Sequence, residues 1–185
     1  RLGESLAKHD IAAEVRNQAR VHLWYPEKHG LPYPPLRRAA DGNDLILTSG
    51  GVSVGEEDHL RPAVMAEGSL DLWQIAIKPG KPLAFGQVGG ALFIGLPGNP
   101  VSSWVTGLIA VLPLLRSMQG MPGAPAHAMV VRADFDLPKA DKRREFLRAR
   151  FKAQGGVELF PNQSSGVLTS AAGADGLVDN PAGQT

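Results

Sequence analysis

The chain is predicted to be an α/β protein: apolar strands alternate with helices in a first unit, and a smaller β-rich unit follows. Three observations predict this. Asp44-Leu-Ile-Leu-Thr48 is a compact apolar run ending in Ser-Gly-Gly, the pattern of a buried parallel strand that feeds a turn. Pro100 to Met118 places Val101, Trp104, Val105, Leu108, Ile109, Leu112 and Leu115 at helical spacing, behind an N-cap residue (Asn99) and a proline suited to the first helical position. Gly120-Met-Pro-Gly-Ala-Pro125 has linker composition, and beyond it the pattern changes to short strand-like runs separated by turns.

The elements follow in order. Residues 2–9 predict a helix through Leu2, Leu6 and Ala7, and 11–15 a short strand. Residues 20–36 hold Trp24, Tyr25, Tyr33 and the prolines Pro26, Pro32, Pro34 and Pro35, which predicts an irregular loop. A short helix is expected over 36–40 and a longer one over 57–67. Strands over 70–77 and 83–88 flank a Lys-Pro-Gly-Lys-Pro turn, and 91–96 is a further strand. Pro113 should kink or shorten the long helix. The β-rich unit offers strands at 129–135, 145–151, 157–160 and 176–178. The predicted domains are 1–122 and 123–185. Both ends read as cut from something longer: the first residue is Arg1, and the last few follow directly on a strand.

Composition excludes several function classes. The 19 Lys and Arg residues nearly balance the 18 Asp and Glu residues, so no global field draws nucleic acid. With no cysteine there are no disulfides, thiolate ligands or thiol nucleophiles, which fits a reducing, cytoplasmic setting. The longest apolar stretch, 101–115, is short for a bilayer and interrupted by Ser, Thr, Gly and Pro; it predicts a buried helix and no membrane partner. His9, His22, His29, His59 and His127 show no metal-ligand spacing. Trp73 and Trp104 are expected in the core. Arg143, Arg144, Arg148 and Arg150 are expected on a solvated basic face.

Three motifs suit an anion. In Ser49-Gly50-Gly51-Val52-Ser53-Val54-Gly55-Glu56-Glu57-Asp58, the glycines permit positive φ and close backbone approach, the serines add hydroxyl donors, and Asp58 could hold a divalent cation or a ligand hydroxyl. An ordinary strand–turn–helix junction would look the same. In Lys78-Pro79-Gly80-Lys81-Pro82, a type II turn with Pro79 and Gly80 at its centre brings two ammonium groups together around an anion, without carboxylate partners; a solvated hairpin tip is the bland alternative. Gly95-Leu96-Pro97-Gly98-Asn99-Pro100-Val101-Ser102-Ser103 opens the long helix, where unpaired N–H groups and the positive dipole end attract phosphate. Capping alone accounts for Asn99 and Pro100.

In this order the motifs resemble the molybdopterin molybdenumtransferase family, the MoeA and gephyrin E-domain type. Asp44 to Pro122 resembles its pterin-binding domain and 126–180 its C-terminal domain, where Phe146-Leu147-Arg148 and Gln163-Ser-Ser-Gly-Val-Leu168 precede Asp175-Gly-Leu-Val178. The resemblance implies a three-layer α/β/α pterin-binding domain, incomplete at its N-terminus, followed by a small β-barrel. It implies insertion of molybdate into adenylated molybdopterin with release of AMP, assisted by Mg²⁺. Ser49, Gly50, Gly51, Ser53 and Gly55, with Pro97, Gly98, Asn99, Pro100 and Ser102, would then bind the phosphate and nucleotide portions. Asp58 would be the acid near Mg²⁺, and Lys78 and Lys81 would attract molybdate or phosphate. The partners implied are small-molecule substrates and, in the full-length protein, a second copy in a homodimer. The chain departs from the pattern at Gln74, where many members carry a basic residue, and in the Pro-rich stretch where they carry an acidic pair. The family's first strand, with a Thr-Gly-Asp-Glu-like loop, would lie before Arg1, so a gap is expected in the sheet. A related molybdopterin adenylyltransferase lacks the Lys-Pro-Gly-Lys-Pro turn and the trailing domain. A non-catalytic binding or dimerisation fragment is the alternative from another class.

Overall fold

Strand β3 (Leu45–Ser49) organises the first sheet, because its alternate residues are buried on opposite faces. A computed structural model describes residues 10–14, 20–24, 34–52, 60–121 and 128–185. Around β3 are β1 (Asp10–Glu14), β2 (Arg20–Trp24), β4 (Gly68–Gln74), β6 (Pro82–Val88) and β7 (Ala91–Leu96), in the order β1-β2-β3-β7-β6-β4. Strands β2, β3 and β7 run parallel, and the others attach antiparallel. Ile46, Phe93 and Ala84 face one cluster, filled by Leu36 and Ala39 of helix α1 (Pro34–Ala40) and by Leu60, Ala63 and Val64 of α2 (Leu60–Glu67). Leu45, Ile94 and Leu83 face the other, covered by Val111, Leu114, Leu115 and Met118 of the long helix α3 (Pro100–Met118). Helices therefore cover both faces, as a mixed α/β sheet with a parallel centre requires.

Two expectations fail in this unit. Residues 20–24 form a strand within the stretch expected to be a loop, because the prolines begin only at Pro26 and leave Arg20–Trp24 free to pair. That strand pairs in parallel with β3 over Val21–Trp24, so β3 has a neighbour on each side and the expected gap is absent beside it. The predicted helix over 2–9 lies outside the described residues, as does the start of the helix predicted over 57–67.

In α3, Pro113 lacks an N–H and its ring would meet the carbonyl four residues back. The turn before it, Gly107–Val111, widens into a π turn, with Leu112 N–H donating to the Gly107 carbonyl. The helix continues to Met118. By length and composition alone α3 could cross a membrane, but Val101, Val105 and Val111 are buried in the protein.

The second sheet is built on β8 (Arg144–Phe151). Antiparallel β10 (Gly176–Asn180) lies along one edge. The other edge is shared by antiparallel β9 (Val157–Leu159) and parallel β5 (Ile77–Lys78), the latter contributed by the Lys-Pro-Gly-Lys-Pro arm of the first unit. The strand predicted over 129–135 is reduced to one bridge, Ala133 to Val157. These ladders do not close into a barrel among the described residues. A short helix, α4 (Thr169–Ala172), packs against the first turns of α3.

Candidate functional site

The first and third motifs meet because β3 and β7 are parallel neighbours, with Ser49 in register with Leu96, and both chains turn at the same sheet edge. Gly50 N–H donates to the Leu96 carbonyl at 3.0 Å. The buried Pro97 carbonyl accepts from Ser49 Oγ at 3.4 Å and also from Ser103 Oγ. Gly50 has φ 90°, a left-handed conformation that side chains rarely adopt, and a Cβ on Gly98 would lie 3.4 Å from Gly50 Cα. Two backbones thus pass without side chains between them. Ser49, Gly50, Gly51, Pro97, Gly98, Asn99, Pro100 and Ser102 are brought to one place, as expected. Ser53, Gly55 and Asp58 lie outside the described residues.

The start of α3 is a complete N-cap. Asn99 Oδ1 accepts from Ser102 N–H at 3.2 Å, and the Asn99 carbonyl accepts from Ser103 N–H at 2.9 Å. Pro100 has no N–H, which leaves Val101 as the first-turn donor that Asn99 does not take. The dipole end therefore remains, while most of the helix-start donors are already used.

The second motif leans on the same helix. Gly80, at φ 112°, is so close to α3 that a Cβ there would come 2.5 Å from Thr106 Cγ2 and 3.6 Å from the Ser102 carbonyl. The turn departs from the type II expectation: the Lys78–Pro79 peptide is cis. Lys78 does not stand free either. Its Nζ lies 2.9 Å from Glu145 Oε1 and 3.2 Å from Asp141 Oδ2. The parallel pairing of β5 with β8 places Lys78 opposite Glu145, and the buried carboxylate takes the nearest cation as its counterion. The Glu145 contact, followed by Asp141, raises the Lys78 pKa against the opposing effect of burial. The Arg143 guanidinium and backbone N–H, with Lys78, hold Asp141 well below the usual carboxylate range. Lys81 is exposed and makes no ion pair among the described residues.

Sequence reasoning missed Asp141, Glu145 and Thr106, because strand register and helix packing bring them to the turn. It also misplaced Arg148, which is 1% exposed rather than solvated. Arg148 Nε donates to Ser170 Oγ of α4 at 3.1 Å and Nη2 to the Ser164 carbonyl at 3.2 Å. Burial lowers its pKa, and these partners are neutral. The serines of the 163–170 segment were the available signal. Arg143, Arg144 and Arg150 do lie nearer the surface, the first two paired with Asp141 and Asp179. Trp73 and Trp104 are half-buried, and Trp73 packs against the α1–α2 cluster. No group of three His, Asp or Glu side chains that could hold a metal ion occurs among the described residues.

Two family models match in tandem: residues 34–117 match a probable molybdopterin binding domain, and residues 130–185 match the MoeA C-terminal region, domain IV. The chain belongs to the MoeA family. This MoeA-family chain is 45% identical over 120 residues to a molybdopterin molybdenumtransferase of Haemophilus influenzae, covering 63% of the chain and 30% of that protein. It is 34% identical to molybdopterin molybdenumtransferase 2 of Mycobacterium tuberculosis, covering 79% of the chain and 38% of that protein. A solved MoeA structure from Pyrococcus horikoshii superposes with a TM-score of 0.63 at 29% identity, over 80% of the chain and 36% of the solved one. The chain thus spans 30–38% of the length of these relatives.

Proposed function

We propose that this chain supplies the pterin-binding and C-terminal portions of a molybdopterin molybdenumtransferase, which inserts molybdate into adenylated molybdopterin and releases AMP. The observation that carries the reading is the convergence of three motifs on the start of α3: the Gly50 and Gly98 backbones nearly touch, and Gly80 packs against Ser102 and Thr106. In this reading the Ser49–Gly51 and Gly98–Ser102 turns receive phosphate and nucleotide, and the Lys78–Lys81 turn receives the oxyanion. In this reading the helices on both faces of the first sheet position both turns, and the open β8 sheet is part of what would be the family's small barrel in the longer protein. The work is positioning and charge neutralisation by groups already in place. Mg²⁺ would fall to Asp58; the described residues build no site for it, and no step is assigned to it. The full-length protein would be a cytoplasmic homodimer acting on small molecules.

The test is an in vitro insertion assay with adenylated molybdopterin, molybdate and Mg²⁺, run on the 185-residue chain with and without the N-terminal portion of a relative. The expected result is AMP and molybdate binding by the chain alone and turnover only with the added portion. Binding without turnover in either case would favour the non-catalytic reading. Adenylyl transfer from ATP to molybdopterin would favour the adenylyltransferase, which the match over 130–185 disfavours.

A further inference from the structure

The two carboxylates around Lys78 are fixed by other groups. Glu145 is 5% exposed, sits within β8 and has Asn180 Nδ2 3.5 Å from its second oxygen, Oε2. Asp141 accepts from Arg143 N–H at 2.9 Å and from the Arg143 guanidinium at 3.0 and 3.1 Å. An ammonium has three N–H donors and no acceptor. On a free lysine they turn on a flexible stem and make a point charge without direction. Here Glu145 and Asp141 take two of them at 2.9 and 3.2 Å, and tetrahedral geometry then fixes the third. Formal charges also cancel within the cluster, Lys78 and Arg143 against Asp141 and Glu145. Lys78 therefore offers an anion one aimed hydrogen bond, while Lys81 on the same turn makes no ion pair among the described residues.

We propose that Glu145 is a positioning residue for the oxyanion site: with Asp141 it holds two donors of the Lys78 ammonium and aims the third at the bound anion. This rests on the reading above, in which the turn meets an oxyanion. A residue of the second sheet thereby serves a site on the first, acting through Lys78 without touching the ligand.

The test is a double-mutant cycle read by calorimetric titration of molybdate into the 185-residue chain. Glu145→Gln removes the charge at nearly constant volume, and Lys78→Met keeps the stem and removes the ammonium. Glu145→Gln should weaken molybdate roughly tenfold in the Lys78 background, the size of one charge-assisted hydrogen bond, and have no effect in the Lys78→Met background. Glu145→Asp should restore part of the loss. NMR titration of the lysine ε-carbons should show the Lys78 midpoint moving down in Glu145→Gln, which checks that the pair forms in solution, while the loss of the Glu145→Gln effect in the Lys78→Met background is what a purely structural role would not produce. Should Glu145→Gln fail to fold, Asp141→Asn takes its place in the same cycle. Equal losses in both backgrounds, an unmoved Lys78 midpoint, or tighter molybdate binding in Glu145→Gln would each overturn the positioning role alone. Unchanged affinity in Lys78→Met would overturn the oxyanion reading of Lys78 with it.

Discussion

Replacing Lys78 by alanine leaves the buried Glu145 carboxylate with Asn180, at 3.5 Å, as its remaining side-chain hydrogen-bond partner among the described residues, and with the Arg143 charge nearby. A buried charge that loses its counterion is costly, but Lys78 is itself 47% exposed, so water compensates in part. Lys78→Ala should lower unfolding stability by about 1–2 kcal/mol in urea titrations, more than an ordinary surface substitution. The pH dependence has a definite sign. The folded-state pKa of Lys78 is raised above 10.5, so its contribution is complete below that value and is lost as pH rises through the folded pKa. The alkaline fall in the urea midpoint should be shallower in Lys78→Ala. Asp141 acts in the opposite window: its folded pKa is lowered from 3.8, so its contribution is present above that value and lost as pH falls further. Thr48 gives a contrasting case. Its buried Oγ1 has no hydrogen-bond partner among the described residues, so Thr48→Val should leave the melting temperature unchanged or raise it. A clear drop would show that the hydroxyl is bound.

Helix α3 organises the site, and two substitutions test how. Asn99→Ala removes the acceptor for Ser102 N–H and should cost about 1 kcal/mol, the usual value of an N-cap. That variant should also bind AMP no more weakly than the parent if the nucleotide is held by the Gly50 and Gly98 backbones; an affinity loss would put the Asn99 side chain in the site. Gly80→Ala meets both a positive φ of 112° and a methyl group 2.5 Å away on Thr106. It should destabilise by roughly 1–3 kcal/mol. Adding Thr106→Ala should recover the steric part but not the backbone part, so a full rescue would contradict the conformational argument. The capping and the helix itself could be read from Asn99-Pro100 and the apolar spacing, because both are local. The π turn could not, although Pro113 gave notice of a disturbance.

Across the whole molecule, what could be read from the sequence divides by sequence distance. Strands β3, β6, β7 and β8 and helix α3 announced themselves through local period and turn chemistry, and the three anion motifs through their glycines and prolines. The convergence of the first and third followed from expecting both turns at one edge of the sheet, and Gly50 and Gly98 meet that expectation. Contacts set by long-range register were not readable. Lys78 pairs with Glu145 across 67 positions because β5 joins β8, and no local pattern marks that. Arg148 looked like one of four solvated arginines until Ser164 and Ser170 folded over it. Strand β2 was hidden by the prolines beyond it.

Strand β5 is two residues long, yet it belongs to the second sheet while its neighbours in sequence belong to the first. The two units are thus held together twice, once by the covalent chain and once by this inserted finger with its ion pairs and the packing of α4 on α3. The protein is accordingly a candidate for fragment complementation. Residues 1–122 and 123–185, expressed as separate polypeptides, should reassociate and co-elute on size exclusion. Lys78→Ala should weaken that reassembly, and so should Gly80→Ala. If the pieces elute apart in both the parent and the variants, the finger is a passive contact and the covalent link alone joins the two units.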